Sequence, residues 1–434
     1  MPKALFISYY FPPCGAGWVM RITNFVRHLP QWGWKVAVLT VKEEYYKDNA
    51  SPDISMLQGL PSDLLVVRTD SWEPKLKLKA VAPKSEFVAD KKRPPLLTRL
   101  IEFLEKALFI PDVKILWLPV ALRRGCQIIK SEGVDLIYVS VPDFSLLLIA
   151  YGLKRLTGRA LVLDLRDDWD ENPYYRQKYW YGRKLVTCWE RKIVAAADKV
   201  ILVTQNSQKS YIRRYPHQPA GKFAFIPNGF DPRIESLMQN KPQIPADNFT
   251  IVHSGLLCPE RVIPALFEAF RELIDEQPQF KRQARLVFLG NVCSYVHELV
   301  HKLGIGENVQ CVGTLPYEEN IRQVAQGALL LLIPSLNIPN SLPGKVYEYL
   351  AVRRPFLAIT EDNVTRDFLA GLKHPYIYYP DDKPGIKTAI RNFYQKFQAG
   401  ELKDWPAVPG TEIYSRAKQS EQLAVIFNEV NKAN

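Results

Sequence analysis

No run of about 18 apolar residues, the length of a membrane-spanning helix, occurs anywhere in the 434-residue chain. The longest candidate, Ala328–Ile333, runs straight into Pro334. The N-terminus carries no secretory leader pattern: a short apolar run after Lys3 is cut off by Ser8-Tyr9-Tyr10 and a Pro-Pro turn, which reads as a first strand. Cysteine is sparse and scattered, at positions 14, 126, 188, 258, 293 and 311, with no CxxC pair. A disulfide or zinc framework is therefore not expected, and a reducing cytoplasm is the simplest compartment. Solenoid repeats and low-complexity tracts are absent. So are the common phosphate loops. A third glycine of GxGxxG would fall on Met20, and no Gly-Lys-Ser/Thr follows Gly17.

Hydrophobic content of 47% over 434 residues is more than one ordinary core needs, so two domains are expected. The net charge of +12 admits nucleic acid, an anionic membrane surface or an anionic substrate as partner. Nucleic acid is not favoured, because basic and aromatic residues are not interleaved as a stacking platform. Part of the excess lies at Lys75, Lys77, Lys79, Lys84, Lys91, Lys92 and Arg93, followed by Leu96–Ile110 with apolar residues at helical spacing. That pairing suits peripheral attachment to a membrane, or equally a helix packed on its own domain.

Short apolar runs alternate with helical patterns. Lys3–Ser8, Lys35–Thr40, Asp135–Ser140, Ala160–Leu165 and Lys199–Thr204 read as parallel strands of one sheet. The rhythm restarts at Phe249–Ser254 and continues through Arg285–Leu289, Val309–Val312, Ala328–Ile333 and Pro355–Ile359. The stretch from Glu43 to Pro111 is irregular, as an insertion would be. The expected organisation is a first doubly wound domain over 1–230, a second over 231–410, and a terminal helix over 411–434 that crosses back to the first. Ligands of such sheets bind beyond the carboxyl ends of the strands.

Four segments stand at such ends. Phe11–Gly17 follows the first strand, where Gly15 and Gly17 either make a tight turn or let a ligand approach bare backbone. Asp164-Leu165-Arg166-Asp167-Asp168 closes another strand; Asp164 pairs with Arg166 or caps a helix, or Asp167 or Asp168 holds or deprotonates a substrate hydroxyl. Ser254-Gly255 is followed by Arg261, whose guanidinium would offset a diphosphate. Asn340-Ser341-Leu342-Pro343-Gly344-Lys345 opens a helix on a Pro-Gly turn, so free N–H groups and a lysine face one spot, and Glu348 lies one turn inside. His297-Glu298-Leu299-Val300-His301 formally matches a zincin helix, with no third ligand in sight.

In this order and spacing the segments resemble family 4 of the retaining glycosyltransferases over nearly the whole chain. Ile226-Pro227-Asn228-Gly229 and Val312-Gly313-Thr314-Leu315-Pro316 add to the resemblance. It implies a GT-B fold of two Rossmann-like domains facing a central cleft, a nucleotide-diphosphate sugar donor such as a UDP- or GDP-sugar, retention at the anomeric carbon, and neither a resident cofactor nor an obligatory metal. Glu348 then takes the position of the second glutamate of Glu-x7-Glu, which holds the ribose. Arg261 takes a phosphate contact, Gly313 and Leu315 border the base, and Ser254, Gly255 and Asn340 through Lys345 complete the donor site. Gly15 and Gly17 fall near the donor phosphates and acceptor. On this view Asp167, Arg261 and Lys345 are the catalytic set. Three positions depart from the family pattern. Asn340 stands for the first glutamate, Val262 for a basic residue, and no histidine stands near Pro142-Asp143. The implied role is a hexosyltransferase of bacterial polysaccharide or glycolipid synthesis, cytoplasmic or peripheral at the inner membrane face, acting on a sugar, polysaccharide or lipid-linked acceptor. A UDP-sugar epimerase of the same architecture and a non-catalytic sugar-nucleotide binder are the alternatives.

Overall fold

The computed structural model describes residues 1–46, 52–73, 107–169, 175–240, 242–335, 340 and 342–433. The basic stretch, most of the expected amphipathic segment that follows it, and Ser341 lie outside them. The chain divides into two compact units, one reaching to Pro227 and resuming at Arg416, the other spanning Asn228–Ser415. Among the described residues no helix is long and apolar enough to cross a membrane.

The first unit runs β1 (Lys3–Ile7), α1 (Met20–His28), β2 (Lys35–Val41), β3 (Leu65–Thr69), α2 (Leu118–Glu132), β4 (Leu136–Val141), α3 (Ser145–Thr157), β5 (Ala160–Leu165), α4 (Trp180–Ala196), β6 (Lys199–Leu202), α5 (Gln205–Arg214) and β7 (Phe223–Phe225). Its strands form one parallel sheet in the order β3-β2-β1-β4-β5-β6-β7. The central strands are buried along their length, which is why they read as unbroken apolar runs. β3 and β7 escape the sequence pattern: they are short edge strands, only partly buried.

The second unit runs α6 (Arg233–Gln239), β8 (Phe249–Ser254), α7 (Pro264–Glu276), α8 (Pro278–Gln283), β9 (Ala284–Leu289), α9 (Ser294–Leu303), β10 (Val309–Gly313), α10 (Tyr317–Gln326), β11 (Leu329–Leu332), α11 (Gly344–Val352), β12 (Phe356–Ile359), α12 (Val364–Gly371), β13 (Ile377–Tyr378) and α13 (Lys383–Gln398). The sheet order is β10-β9-β8-β11-β12-β13, again parallel. Successive residues alternate between two cores. Ile251, Leu286, Phe288, Leu329 and Leu331 enter one, while Val252, Val287, Leu289, Leu330 and Leu332 enter the other. The last helix, α14 (Arg416–Ala433), packs on the first unit. There Phe427 meets Trp34, Tyr138 and Phe6 at ring distances of 5.1, 5.7 and 6.3 Å, and Trp34 donates its indole N–H to Asn428 at 2.9 Å.

Strand order reverses between β1 and β4, and again between β8 and β11. These two reversals are the topological switch points at which open α/β sheets bind ligands.

One buried ion pair ties the first unit together. Asp164, wholly buried near the end of β5, receives Arg21 Nε at 2.8 Å and Nη2 at 3.0 Å, Tyr138 Oη at 2.6 Å and Ser140 Oγ at 2.9 Å. Arg21 also donates to the carbonyls of Pro227 and Ile226 at 2.6 and 3.1 Å. The expected pairing of Asp164 with Arg166 is thus corrected. Arg166 leaves the strand end and donates to the carbonyls of Val141 and Trp18, while the inward-facing Asp164 requires a cation from the core side. Burial alone would raise the Asp164 pKa, but the charge and hydrogen bonds of Arg21 outweigh it and hold the carboxyl below its usual value. Asp164→Ala should destabilise the protein by about 3–5 kcal/mol, because it strands a buried guanidinium. Arg21→Met with Asp164→Leu should cost less than that single change; chemical denaturation of both variants checks this.

Candidate active site

In the second unit the β8 switch point gathers Ser254, Gly255, Arg261 and Lys345. β8 ends in Ser254-Gly255, and Gly255 has φ 136°. A Cβ at Gly255 would lie 2.5 Å from Lys345 Cε, so glycine leaves the room in which the lysine side chain crosses the strand end. Lys345 Nζ reaches Ser254 Oγ at 3.4 Å, and that hydroxyl donates to Asn320 Oδ1 at 2.8 Å. From α11, Tyr349 accepts the Ser254 N–H at 3.1 Å and donates to the carbonyl of Leu331 at 3.2 Å, lashing the ends of β8 and β11 together. Asn320 and Gly290 give no signal in the sequence, and Tyr349 stands there only as a member of the Pro343–Ala351 motif, without this bridging role. Gly290, at φ 138°, brings its backbone so close to Gly255 that a Cβ would stand 2.4 Å from the Gly255 carbonyl oxygen.

Pro343 caps α11 with no side-chain hydrogen bond, and Gly344 faces open space. The helix therefore presents backbone N–H groups beside Lys345. Arg261, in a short 3-10 turn at Pro259–Arg261, donates weakly to the carbonyl of Leu256 at 3.4 Å. Its Nε is buried and meets no acceptor among the described residues. The same holds for His253 Nε2 and Ser335 Oγ, the latter in the loop after β11. Buried polar atoms in native proteins are rarely left unpaired, and three at one switch point make it the candidate ligand site. Burial brings the His253 pKa down to about 4; its hydrogen bond to the Leu331 carbonyl opposes this, and the charges of Lys345 and Arg261 add to it. Both cations therefore act on one spot. Glu348 is half-buried on α11. Gly313, at φ 82°, ends β10, with Leu315 packed partly into the core beyond it and Asn340 half-buried.

In the first unit, Gly15 and Gly17 follow β1. Neither has a positive φ, and a Cβ at Gly17 would touch nothing. Asp168 accepts Ser207 Oγ at 3.2 Å and is buried, so it serves the fold rather than a substrate; Asp167 is half-buried. At the end of β4, where no histidine stands, Asp143 takes φ 89° and pairs with buried Lys114. Lys114 also lies 4.7 Å from the ring centres of Tyr9 and Tyr10. With Tyr10, Trp18 and Arg166, Asp143 lines a narrow hollow over the first switch point. Strain of this kind in a non-glycine residue collects at functional sites. Lys114 escapes sequence reading because its partner lies 29 positions away.

On the zincin-like helix the three motif residues do not converge with a further ligand among the described residues. His297, Glu298 and His301 face solvent on α9, while Val296 and Leu299 turn inward. Among the described residues no three His, Cys, Asp or Glu side chains assemble as a ligand set.

Gly290→Ala should lower stability by several kcal/mol, since the clash is with backbone and φ is unfavourable, whereas Gly17→Ala should leave the unfolding midpoint unchanged; thermal unfolding of the pair tests this. His253 and His374 are both held near pKa 4 by burial. An unfolded chain takes up these protons near pH 6.5, so stability present above that pH is lost as pH falls toward 4. NMR should show the His253 and His374 imidazoles remaining neutral down to about pH 4.

Two family models cover the chain: Glycosyltransferase Family 4 over residues 16–234 and Glycosyl transferases group 1 over residues 235–397. No curated protein sequence matches it. Solved structures do match in fold. Sucrose-phosphate synthase from Thermosynechococcus elongatus has a TM-score of 0.64 at 15% identity, covering 100% of both chains. The alpha,alpha-trehalose 6-phosphate synthase of Burkholderia multivorans has 0.63 at 14%, covering 100% of this chain and 97% of its own. A putative UDP-N-acetylglucosamine 2-epimerase from Listeria monocytogenes has 0.57 at 11%, covering 100% and 97%. With two parallel α/β units and both models in sequence, the chain belongs to Glycosyltransferase Family 4 and is a nucleotide-sugar glycosyltransferase of the GT-B fold.

Proposed function

We propose that the protein transfers a glycosyl group, with retention, from a nucleotide-diphosphate sugar to an acceptor hydroxyl in polysaccharide or glycolipid assembly. The observation that carries this reading is the convergence of Lys345, Arg261 and the uncapped N-terminus of α11 at the end of β8. As the bond between the anomeric carbon and the β-phosphate oxygen breaks, negative charge grows on the diphosphate. Two cations and helix N–H groups fixed in advance stabilise that charge without reorganising. The acceptor oxygen bonds to the anomeric carbon on the leaving-group face, and its proton passes to the departing phosphate. Glu348 accepts the ribose hydroxyls, and Gly313 and Leu315 border the base. Asn340, in place of a glutamate, addresses the donor sugar together with Ser341 to Gly344. Asp167 orients the acceptor hydroxyl. The chemistry assigned to these groups requires neither a cofactor nor a metal. The acceptor is a sugar, polysaccharide or lipid-linked saccharide.

Calorimetry with UDP, GDP, ADP and TDP, with and without EDTA, should find one nucleotide that binds in both conditions. Glu348→Ala should weaken that binding at least tenfold, and Lys345→Ala or Arg261→Ala should cut turnover on the order of 10²-fold. Unchanged donor affinity in Glu348→Ala sinks the assignment. Release of a new free sugar without an acceptor would point instead to an epimerase.

A further inference from the structure

The first unit carries a surface that the transfer reaction does not use. Helix α4 turns Gly182, Val186, Ile193 and Val194 into the core. Its one carboxylate, Glu190, turns inward as well, accepting Tyr211 Oη at 2.8 Å and Arg214 Nη1 at 3.3 Å. The outer face is left with cations and apolar side chains. Arg183, Lys184, Arg191 and Lys192 from the helix, with Arg176 before it, line an open groove of about 600 Å³. No ion pair joins any of these five to a carboxylate among the described residues. Beside them stand Trp180, 64% exposed, and Leu185, 42% exposed. Tyr181 donates to the carbonyl of Ala107 at 3.1 Å, which brings Leu108, 68% exposed, into the same patch.

An ordinary solvated basic helix looks different in this same protein. On α13, Lys383, Lys387 and Arg391 are each met by Glu272 or Glu276 at 2.5 to 2.9 Å. On α4 the cations face outward with no carboxylate partner among the described residues, and large apolar groups lie among them. Lys184 Nζ sits 5.1 Å from the Trp180 ring centre and Lys192 Nζ 5.3 Å from that of Trp189. Unbalanced positive charge is complementary to a negative surface. Single-stranded nucleic acid would use the aromatic rings but gain nothing from Leu108 and Leu185. A bilayer interface uses all of them: Trp and Tyr settle at headgroup level, aliphatic chains enter the acyl boundary, and each cation gains against anionic lipid.

We infer that the outer face of α4, with Leu108, docks the protein onto an anionic lipid bilayer. This inference does not depend on the donor-site assignment, and its readout is separate from nucleotide binding. The full-length protein is floated with vesicles of phosphatidylcholine alone or containing phosphatidylglycerol. It should co-float with the anionic vesicles only, and release as salt is raised. Lys184→Gln, Arg191→Gln and Lys192→Gln together should weaken vesicle binding roughly a hundredfold, at about a fivefold loss per lost cation and less where salt screens them. Trp180→Ser with Leu185→Ser should weaken it severalfold in the presence of salt. Nucleotide affinity and thermal unfolding report whether each variant is folded. Should one set of changes fail to fold, the other set decides alone. Anionic-vesicle binding that survives in a folded variant overturns the proposal, as does a wild-type protein that floats equally with neutral vesicles. Retention of single-stranded RNA in place of vesicles also overturns it.

Discussion

A parallel strand covered on both faces has only its ends at which to meet water or a ligand. Both units are built from such strands, and several of the groups discussed above lie at or past the carboxyl end of one. Ser254 and Gly255 follow from β8, Ser335 from β11, Asp143 from β4, and Gly15 and Gly17 from β1. The same constraint governs the exception. Asp164 lies within β5 at zero exposure, and it persists as a carboxylate because Arg21 reaches it from α1 with two hydrogen bonds while Tyr138 and Ser140 fill its remaining acceptor sites.

The buried and half-buried cations separate into two kinds by what they touch. Arg21 is saturated by a carboxylate and two carbonyls. Arg354, also buried, donates to the carbonyls of Ala325, Leu402, Lys403 and Pro242, and so pins the loop behind α11. These guanidiniums hold backbone in place. Arg261 and Lys345 have one long contact apiece, at 3.4 Å, both to neutral oxygens. Charge left under-used at a switch point, with uncapped helix N–H groups beside it, distinguishes a binding site from a strut.

What could be read from the sequence follows the same division. Central strands announce themselves as unbroken apolar runs, and the Pro343-Gly344-Lys345 helix start is a local signal, so both were legible. Edge strands β3, β7 and β13 are short and half-wet and lack that signal. Asp164 stood out as costly, but its partner lies 143 residues away, and the nearest cation in sequence, Arg166, was the wrong one. Gly290 carries no local signal, because its importance comes from the approach of Gly255 across the sheet. Lys114 and Asp143 were invisible as a pair for the same reason: each is unremarkable until the sheet brings β4 beside the 3-10 turn at Val113–Trp117.

The placement of α14 has a consequence for the order in which the chain is completed during synthesis. The second unit is one continuous stretch, Asn228–Ser415, set inside the first. Its sheet and both its cores are present as soon as that stretch has left the ribosome. The first unit, although its sheet is translated earlier, still lacks the rings and side chains that α14 lays over Phe6, Trp34 and Tyr138. Its apolar face therefore stays open until the last helix emerges. The later-made half is the first to close, and the nascent first half must wait with exposed hydrophobic surface, the condition in which chaperones engage.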